Sequence, residues 1–142
     1  MKIVIINGPN LNLLGKREPD VYGTASFDDF YNNIVARYPA VDFEYFQSNI
    51  EGELINELQR VGFTATGIIF NPGGYTHTSV AIGDTVAAIT TPVIEVHISN
   101  VHAREDFRKI SHVSSKVVGS IVGLGLQGYA LATEWFVSNA NK

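Results

Sequence analysis

Three short apolar runs constrain this chain most: Ile3-Val-Ile-Ile6, Gly67-Ile-Ile-Phe70 and Val93-Ile-Glu-Val-His-Ile98. Successive apolar positions mean that both faces of each strand must be covered, which is the habit of parallel sheets. Helical patterns lie between the runs. Phe27, Phe30, Tyr31, Ile34, Val35 and Tyr38 recur at helical spacing behind a Ser26–Asp29 capping box with Asp in place of Glu, and Pro39 closes that helix. Val41 to Phe46 alternates, with Val41, Phe43 and Tyr45 on one side and Asp42 and Glu44 on the other, as a half-exposed edge strand would. Ser48 and Glu51 form a second capping box ahead of the stripe Ile50, Leu54, Leu58 and Val61, and Gly62 ends that helix. After Gly67 to Phe70 come a turn from Asn71 to Thr78 and a helix from about Thr78 to Ile89. Pro92 opens a fourth strand, Val93 to Ile98, followed by a short helix from His102 or Ala103 to about Ile110. Lys116 to Val122 reads as strand five and Leu124 to Val137 as the last helix.

Strands alternating with helices in this way predict an α/β fold with a five-stranded parallel sheet between two helical layers, because each right-handed crossover returns the chain in the same direction. The flavodoxin-like order 2-1-3-4-5 is the common solution, and it makes strand two an edge. Ligands in such sheets sit beyond the carboxyl ends of the strands, near the switch point between strands one and three.

The longest connection, Asn7 to Gly23, has neither period, and loops of that length inside a domain are usually functional. Leu11, Leu13 and Leu14 are apolar enough to tuck against the domain. Arg17 and Tyr22, bracketed by Gly15, Pro19 and Gly23, are what a lid would bring onto an anionic substrate.

A chain of 142 residues, 45% hydrophobic and 17% charged, fits one domain over residues 1–142 with a proper core. Its net charge of −4 offers no basic face for nucleic acid, and with no cysteine there is neither a disulfide nor thiolate chemistry. No apolar run approaches the roughly 18 residues of a membrane span. Met1-Lys2-Ile3 enters a strand at once, so no signal peptide is expected and a cytoplasmic location is the expectation.

The polar residues of interest fall at carboxyl ends: Asn7 and Asn10 after strand one, Asn71 after strand three, His97 and Ser99 at the end of strand four. Glu95 and His97 point to one face of an otherwise apolar strand. An acid there conflicts with local patterning, and such conflicts concentrate at functional sites. A buried ion pair or a core histidine is the structural alternative; a carboxylate orienting a proton-transferring imidazole is the functional one. Asn71-Pro-Gly-Gly and Ile98-Ser99-Asn100 both offer backbone N–H groups near helix starts, suited to a carboxylate or phosphate. Arg104 and Arg108 are four apart on the expected helix, where like charges repel unless an anion lies between them, and Glu105 and Lys109 make an exposed pair on another face.

His77, His97, His102 and His112, with Glu95 and Asp84, lack recognisable zinc spacing, so no metal is expected. Gly123-Leu-Gly-Leu-Gln-Gly128 follows the last strand, so no dinucleotide fingerprint can form and a tight strand-to-helix turn accounts for it. A phosphoacceptor receiver domain would need acids after strand one and an Asp ending strand three; asparagine stands in both places.

Five blocks, Asn7-Gly-Pro-Asn-Leu-Asn-Leu-Leu-Gly15, Arg17-Glu-Pro-Asp-Val-Tyr-Gly23, Gln47-Ser-Asn-Ile-Glu-Gly-Glu-Leu54, Asn71-Pro-Gly-Gly-Tyr-Thr-His-Thr-Ser-Val-Ala81 and Glu95-Val-His-Ile-Ser-Asn-Val-His-Ala-Arg-Glu-Asp-Phe-Arg108, closely resemble the type II 3-dehydroquinases, the 3-dehydroquinate dehydratases of the shikimate and quinate pathways. The resemblance implies anti elimination of water from 3-dehydroquinate through an enolate, giving 3-dehydroshikimate, with no cofactor. It assigns Tyr22 as the base, which needs its phenol lowered from roughly 10, with Arg17 and Arg104 as the cations beside it. His97 becomes the general acid with Glu95 beside it, and Asn10 holds a water against the developing enolate oxygen. Asn71, Ile98 through its N–H, and Ser99 would hold the substrate carboxylate; His77 and Arg108 would contact ring hydroxyls. Asp84 would enter the site from a neighbouring subunit of trimer-based dodecamers. The chain departs from the family pattern around Tyr38 to Val41, at Lys16 and over Ile110 to Lys116.

An imine-forming lysine, as in the unrelated type I enzymes, fits poorly. Lys2 and Lys116 fall at amino ends of strands, Lys109 faces away, Lys142 is terminal, and Lys16 is too exposed for a depressed amine. A non-catalytic flavodoxin-like module holding a small anionic ligand is the alternative from another class. A phosphate-loop lysine or a Ser/Thr-rich loop after strand one would favour it, and neither is present.

Overall fold

The computed structural model describes residues 1–16, 20 and 26–142. Strands β1 (Lys2–Asn7), β2 (Asp42–Gln47), β3 (Gly67–Asn71), β4 (Val93–His97) and β5 (Gly119–Val122) form one sheet in the order β2-β1-β3-β4-β5. Every neighbouring pair is parallel, as the continuous apolar runs require. Successive side chains of β1 divide between two cores. Ile3 and Ile5 join a cluster with Phe27 of α1 (Phe27–Arg37) and Tyr129 and Phe136 of α4 (Gln127–Asn139). Val4 and Ile6 join Leu54, Leu58 and Val61 of α2 (Glu51–Val61) and Ile82 and Val86 of α3 (Val80–Ala88). These four β1 residues are all 0% exposed, and each contributes about 1.5–3 kcal/mol by transfer from water. The two-sided burial holds the carboxyl ends of β1 and β3 in fixed register, Asn7 beside Asn71.

β2 is the edge the alternation indicated: Val41, Phe43 and Tyr45 pack on the α1–α4 core, and Glu44 pairs with Lys2 and Arg60 on the other face. The Ser26 cap forms as expected, accepting from Asp29 N at 3.1 Å.

Several local expectations need correction. The second capping box does not form; Ser48 Oγ accepts from Ile50 N and donates to Glu53, and Ile50 is 58% exposed instead of part of the apolar stripe. Leu11 and Leu14 are buried, but Leu13 is 39% exposed. α3 begins at Val80, because Ser79 Oγ accepts from Ile82 N and so caps the helix two residues later than expected. The helix expected over His102 to Ile110 is two separate 3-10 turns, Val101–Ala103 and Asp106–Lys109. Asn100 Oδ1 caps the first turn by accepting from His102 N, and Arg104 and Glu105 take extended conformations that separate the two turns. Consequently Glu105 pairs with Arg108, and Lys109 with Asp106, in place of the expected Glu105–Lys109 pair. β5 likewise starts at Gly119, after a 3-10 turn over Ser114–Lys116.

Candidate active site

At the switch point the chain brings two backbone turns very close. Gly8 N donates to Asn71 O at 2.7 Å, and a Cβ on Gly8 would lie 2.5 Å from Pro72 O, so only glycine fits. A cleft of about 150 Å³ opens just beyond, between the β1, β3 and β4 carboxyl ends. Asn10, Leu11 and Leu14 line it from the first loop, and Asn71, Gly73 and His77 from the β3 side. His97, Ile98, Ser99, Arg104 and Arg108 line it from β4 onward.

Of the expected site residues, Asn10, Asn71, His77, His97, Ile98, Ser99, Arg104 and Arg108 therefore converge on one cavity. Glu95 lies beneath it, fully buried and joined to His97. Asp84 sits on the exposed face of α3 and is not among the lining residues. Arg17 and Tyr22 lie outside the described residues.

The centre of the site is the Glu95–His97 pair, with His97 Nε2 2.8 Å from Glu95 Oε1. Alternate residues of β4 put both side chains on the α3 side of the sheet. Burial pushes the Glu95 carboxyl up, but His97 and the hydroxyls of Ser114 and Thr76 outweigh it, leaving the group below its ordinary value. An ionised Glu95 makes Nε2 the donor, so proton exchange with a ligand falls to Nδ1. His77 stacks near His97 with ring centroids 6.4 Å apart, and its Nδ1 donates to Ile110 O at 2.7 Å. Burial is the main cause that lowers the His77 pKa, which favours its neutral form.

The cations come from the broken turns, not from one helix face. Arg104 Nη1 donates to Ser99 Oγ at 3.2 Å, and Arg108 pairs with Glu105 and lies over the Phe107 ring. The cleft thus presents two guanidinium groups, neutral amide and hydroxyl donors, and two imidazoles. That set suits a small anion carrying hydroxyl groups. Among the described residues no cluster of three or more His, Cys, Asp or Glu groups could hold a metal ion.

The tight strand-to-helix turn at Gly123 to Gly128 was expected, but three sets of supporting contacts were not foreseen from the sequence. Tyr129, wholly buried on α4, donates to Asn7 Oδ1 at 2.8 Å and accepts from Asn71 Nδ2 at 2.9 Å. Gly123 N and Gly125 N donate to His97 O and Ile98 O at 3.0 Å each, with φ of +86° and +62° at the two glycines, so the glycine-rich turn grips the end of β4. Thr76 and Ser114 donate to Glu95 at 2.6 Å each. Hydroxyls in turns and an aromatic in a core helix carry no individual signal before the fold brings them together.

Comparison with known proteins agrees with this architecture. A family model described as dehydroquinase class II matches residues 1–137. A 3-dehydroquinate dehydratase of Fusobacterium nucleatum is 51% identical over 148 residues, covering 100% of each chain. A catabolic 3-dehydroquinase of Penicillium rubens is 53% identical over 135 residues, covering 93% of this chain and 86% of its own. The crystal structure of a type II dehydroquinase from Butyrivibrio crossotus superposes with a TM-score of 0.92 at 45% identity, covering 96% of this chain and 97% of that one. Matches that run nearly end to end, in sequence and in fold alike, establish that this chain belongs to the class II dehydroquinase family.

Proposed function

We propose that residues 1–142 act as one catalytic domain, a hydro-lyase that converts 3-dehydroquinate to 3-dehydroshikimate and water by anti elimination through an enolate. The observation that carries this reading is the buried Glu95–His97 pair beneath a cationic cleft in a chain of this family. Tyr22, with its phenol lowered by Arg17 and Arg104, removes the proton beside the ketone; Asn10 holds a water against the enolate oxygen. His97 gives a proton to the leaving hydroxyl, so one hydroxide and one proton depart as water. Asn71, Ile98 and Ser99 take the carboxylate, and His77 and Arg108 take the ring hydroxyls. Asp84 completes the site of a neighbouring subunit in a trimer, four of which make the dodecamer. The contacts to the carboxylate and those from Arg108 are charge-assisted hydrogen bonds, stronger than neutral ones. No imine and no cofactor take part.

The product is a conjugated enone, so its ultraviolet absorbance reads turnover directly. Tyr22→Phe should lose turnover by at least about 10²-fold, the usual scale of general-base catalysis, while retaining substrate binding by calorimetry. An unaffected Tyr22→Phe rate removes Tyr22 from the mechanism. Tight binding of 3-dehydroquinate by the unmodified protein with no enone formed would favour a non-catalytic binding module instead. Inactivation by borohydride in the presence of substrate would revive an imine.

A further inference from the structure

We propose that Thr76, Ser111 and Ser114 are positioning residues for the Glu95–His97 pair, forming a one-way set of hydroxyl protons that holds Glu95 as an acceptor-only carboxylate. The direction of each proton follows from the bonding. Ser111 Oγ accepts from Val113 N at 3.1 Å and from Ser114 N at 2.9 Å, which uses both lone pairs of the oxygen. Its own proton is therefore directed to Thr76 Oγ1, 2.7 Å away. Having accepted that proton, Thr76 gives its own to Glu95 Oε1 at 2.6 Å. Ser114 donates to Oε2 at 2.6 Å, and Ser120 approaches the same oxygen at 3.5 Å. His97 Nε2 meets Oε1 at 2.8 Å. A proton on Glu95 would have to turn the Thr76 or Ser114 hydroxyl away, or draw the His97 ring into the tautomer that accepts at Nε2, so each of these bonds is best used by the ionised carboxylate.

The cage comes from separate parts of the chain. Thr76 stands on the turn after β3, 1% exposed. Ser111 and Ser114 belong to the segment before β5, which His112 N anchors to Thr76 O at 2.8 Å. Around the pair, the titratable and charged groups are His97 on its own strand, His77 on the turn after β3, and Arg104 and Arg108 after β4. β5 contributes Ser120, and the segment before it contributes Ser111 and Ser114. A carboxylate with several donors is held ionised, and an ionised Glu95 fixes His97 as an Nε2 donor with Nδ1 toward the cleft. The cage rests on the proposed dehydratase reading only in what His97 then does.

Two measurements separate the two ideas. The first is ¹³C NMR of the labelled glutamate carboxyls in the unliganded protein, with Glu95 assigned by loss of its signal in Glu95→Gln. The second is the pH profile of enone formation. Thr76→Val, which keeps the shape and removes the hydroxyl, should raise the Glu95 midpoint by about one pH unit, a tenfold change. The low-pH limb of kcat should move with it, while KM stays within about twofold, because Thr76 does not line the cleft. Thr76→Ser should restore both. If Thr76→Val does not fold, Ser114→Ala gives the same test through Oε2. A midpoint unmoved in a folded Thr76→Val or Ser114→Ala protein overturns the proposal, as does a Thr76→Ser protein that titrates like Thr76→Val. Should the NMR shift appear but the unmodified protein form no enone, the cage stands and the dehydratase reading falls.

Discussion

Replacing Tyr129 by Phe isolates a single hydroxyl at the junction of the sheet and the site. The ring keeps its packing, an edge contact with Phe27 at 5.0 Å and a tilted one with Phe30 at 5.8 Å. What is lost is a donor to Asn7 Oδ1 and an acceptor for Asn71 Nδ2. Burial drives the Tyr129 pKa far above that of a free phenol, so the hydroxyl is protonated and both bonds exist at neutral pH. Neither asparagine has an easy alternative. Asn71 Oδ1 is committed to Gly73 N, and Asn7 Nδ2 is itself buried without a hydrogen-bond partner among the described residues. A buried group left unpaired costs about 1–3 kcal/mol, so the pair together should cost about 3 kcal/mol after partial relaxation. For a chain of this size that corresponds to a fall of roughly 6–12 °C in Tm, measured at fixed protein concentration against the unmodified protein. Because Asn71 lines the cleft, KM should rise several-fold while kcat changes less. A loss below about 0.5 kcal/mol, or an unchanged KM, would refute the idea that this phenol holds the two asparagines in place.

Gly83→Ala should push on the cage from behind, because its Cβ would collide with His112 O; about 1–3 kcal/mol of overpacking cost is expected in urea unfolding, together with a lower kcat. Acid stability gives a separate check. The Glu95 carboxyl lies below its ordinary value of 4.5 in the folded protein, so its contribution is present above that value and is lost as pH falls through the depressed folded pKa. Urea midpoints measured from about pH 7 down to about pH 3 should decline less steeply in Glu95→Gln than in the unmodified protein, and equal slopes would contradict the assignment.

The sheet could be read from the sequence because its signal is local. Ile3 to Ile6 and Gly67 to Phe70 are apolar on both alternating faces, and a central strand covered by helices on either side buries both. Glu95 was readable for the opposite reason, as a charge where that pattern forbids one. Local element bounds were less legible, because short side-chain caps and the backbone conformation of one or two residues decide them. Asn100 Oδ1 caps a single turn through His102 N, and the extended backbone of Arg104 and Glu105 ends it there, breaking the expected helix and with it the assumption that Arg104 and Arg108 share a helical face. Yet both guanidinium groups still reach the cleft, because the direction of approach is set by β4 and not by the turn that follows it. The hydroxyl cage is not legible in the sequence: Thr76, Ser111 and Ser114 are of residue types common in turns, and only the meeting of two loops at Glu95 gives them a shared task. Strand order therefore fixes where chemistry can occur, while short polar contacts in the loops decide how a buried carboxylate is kept charged. Substitutions in those loops should consequently alter proton transfer well before they alter the fold.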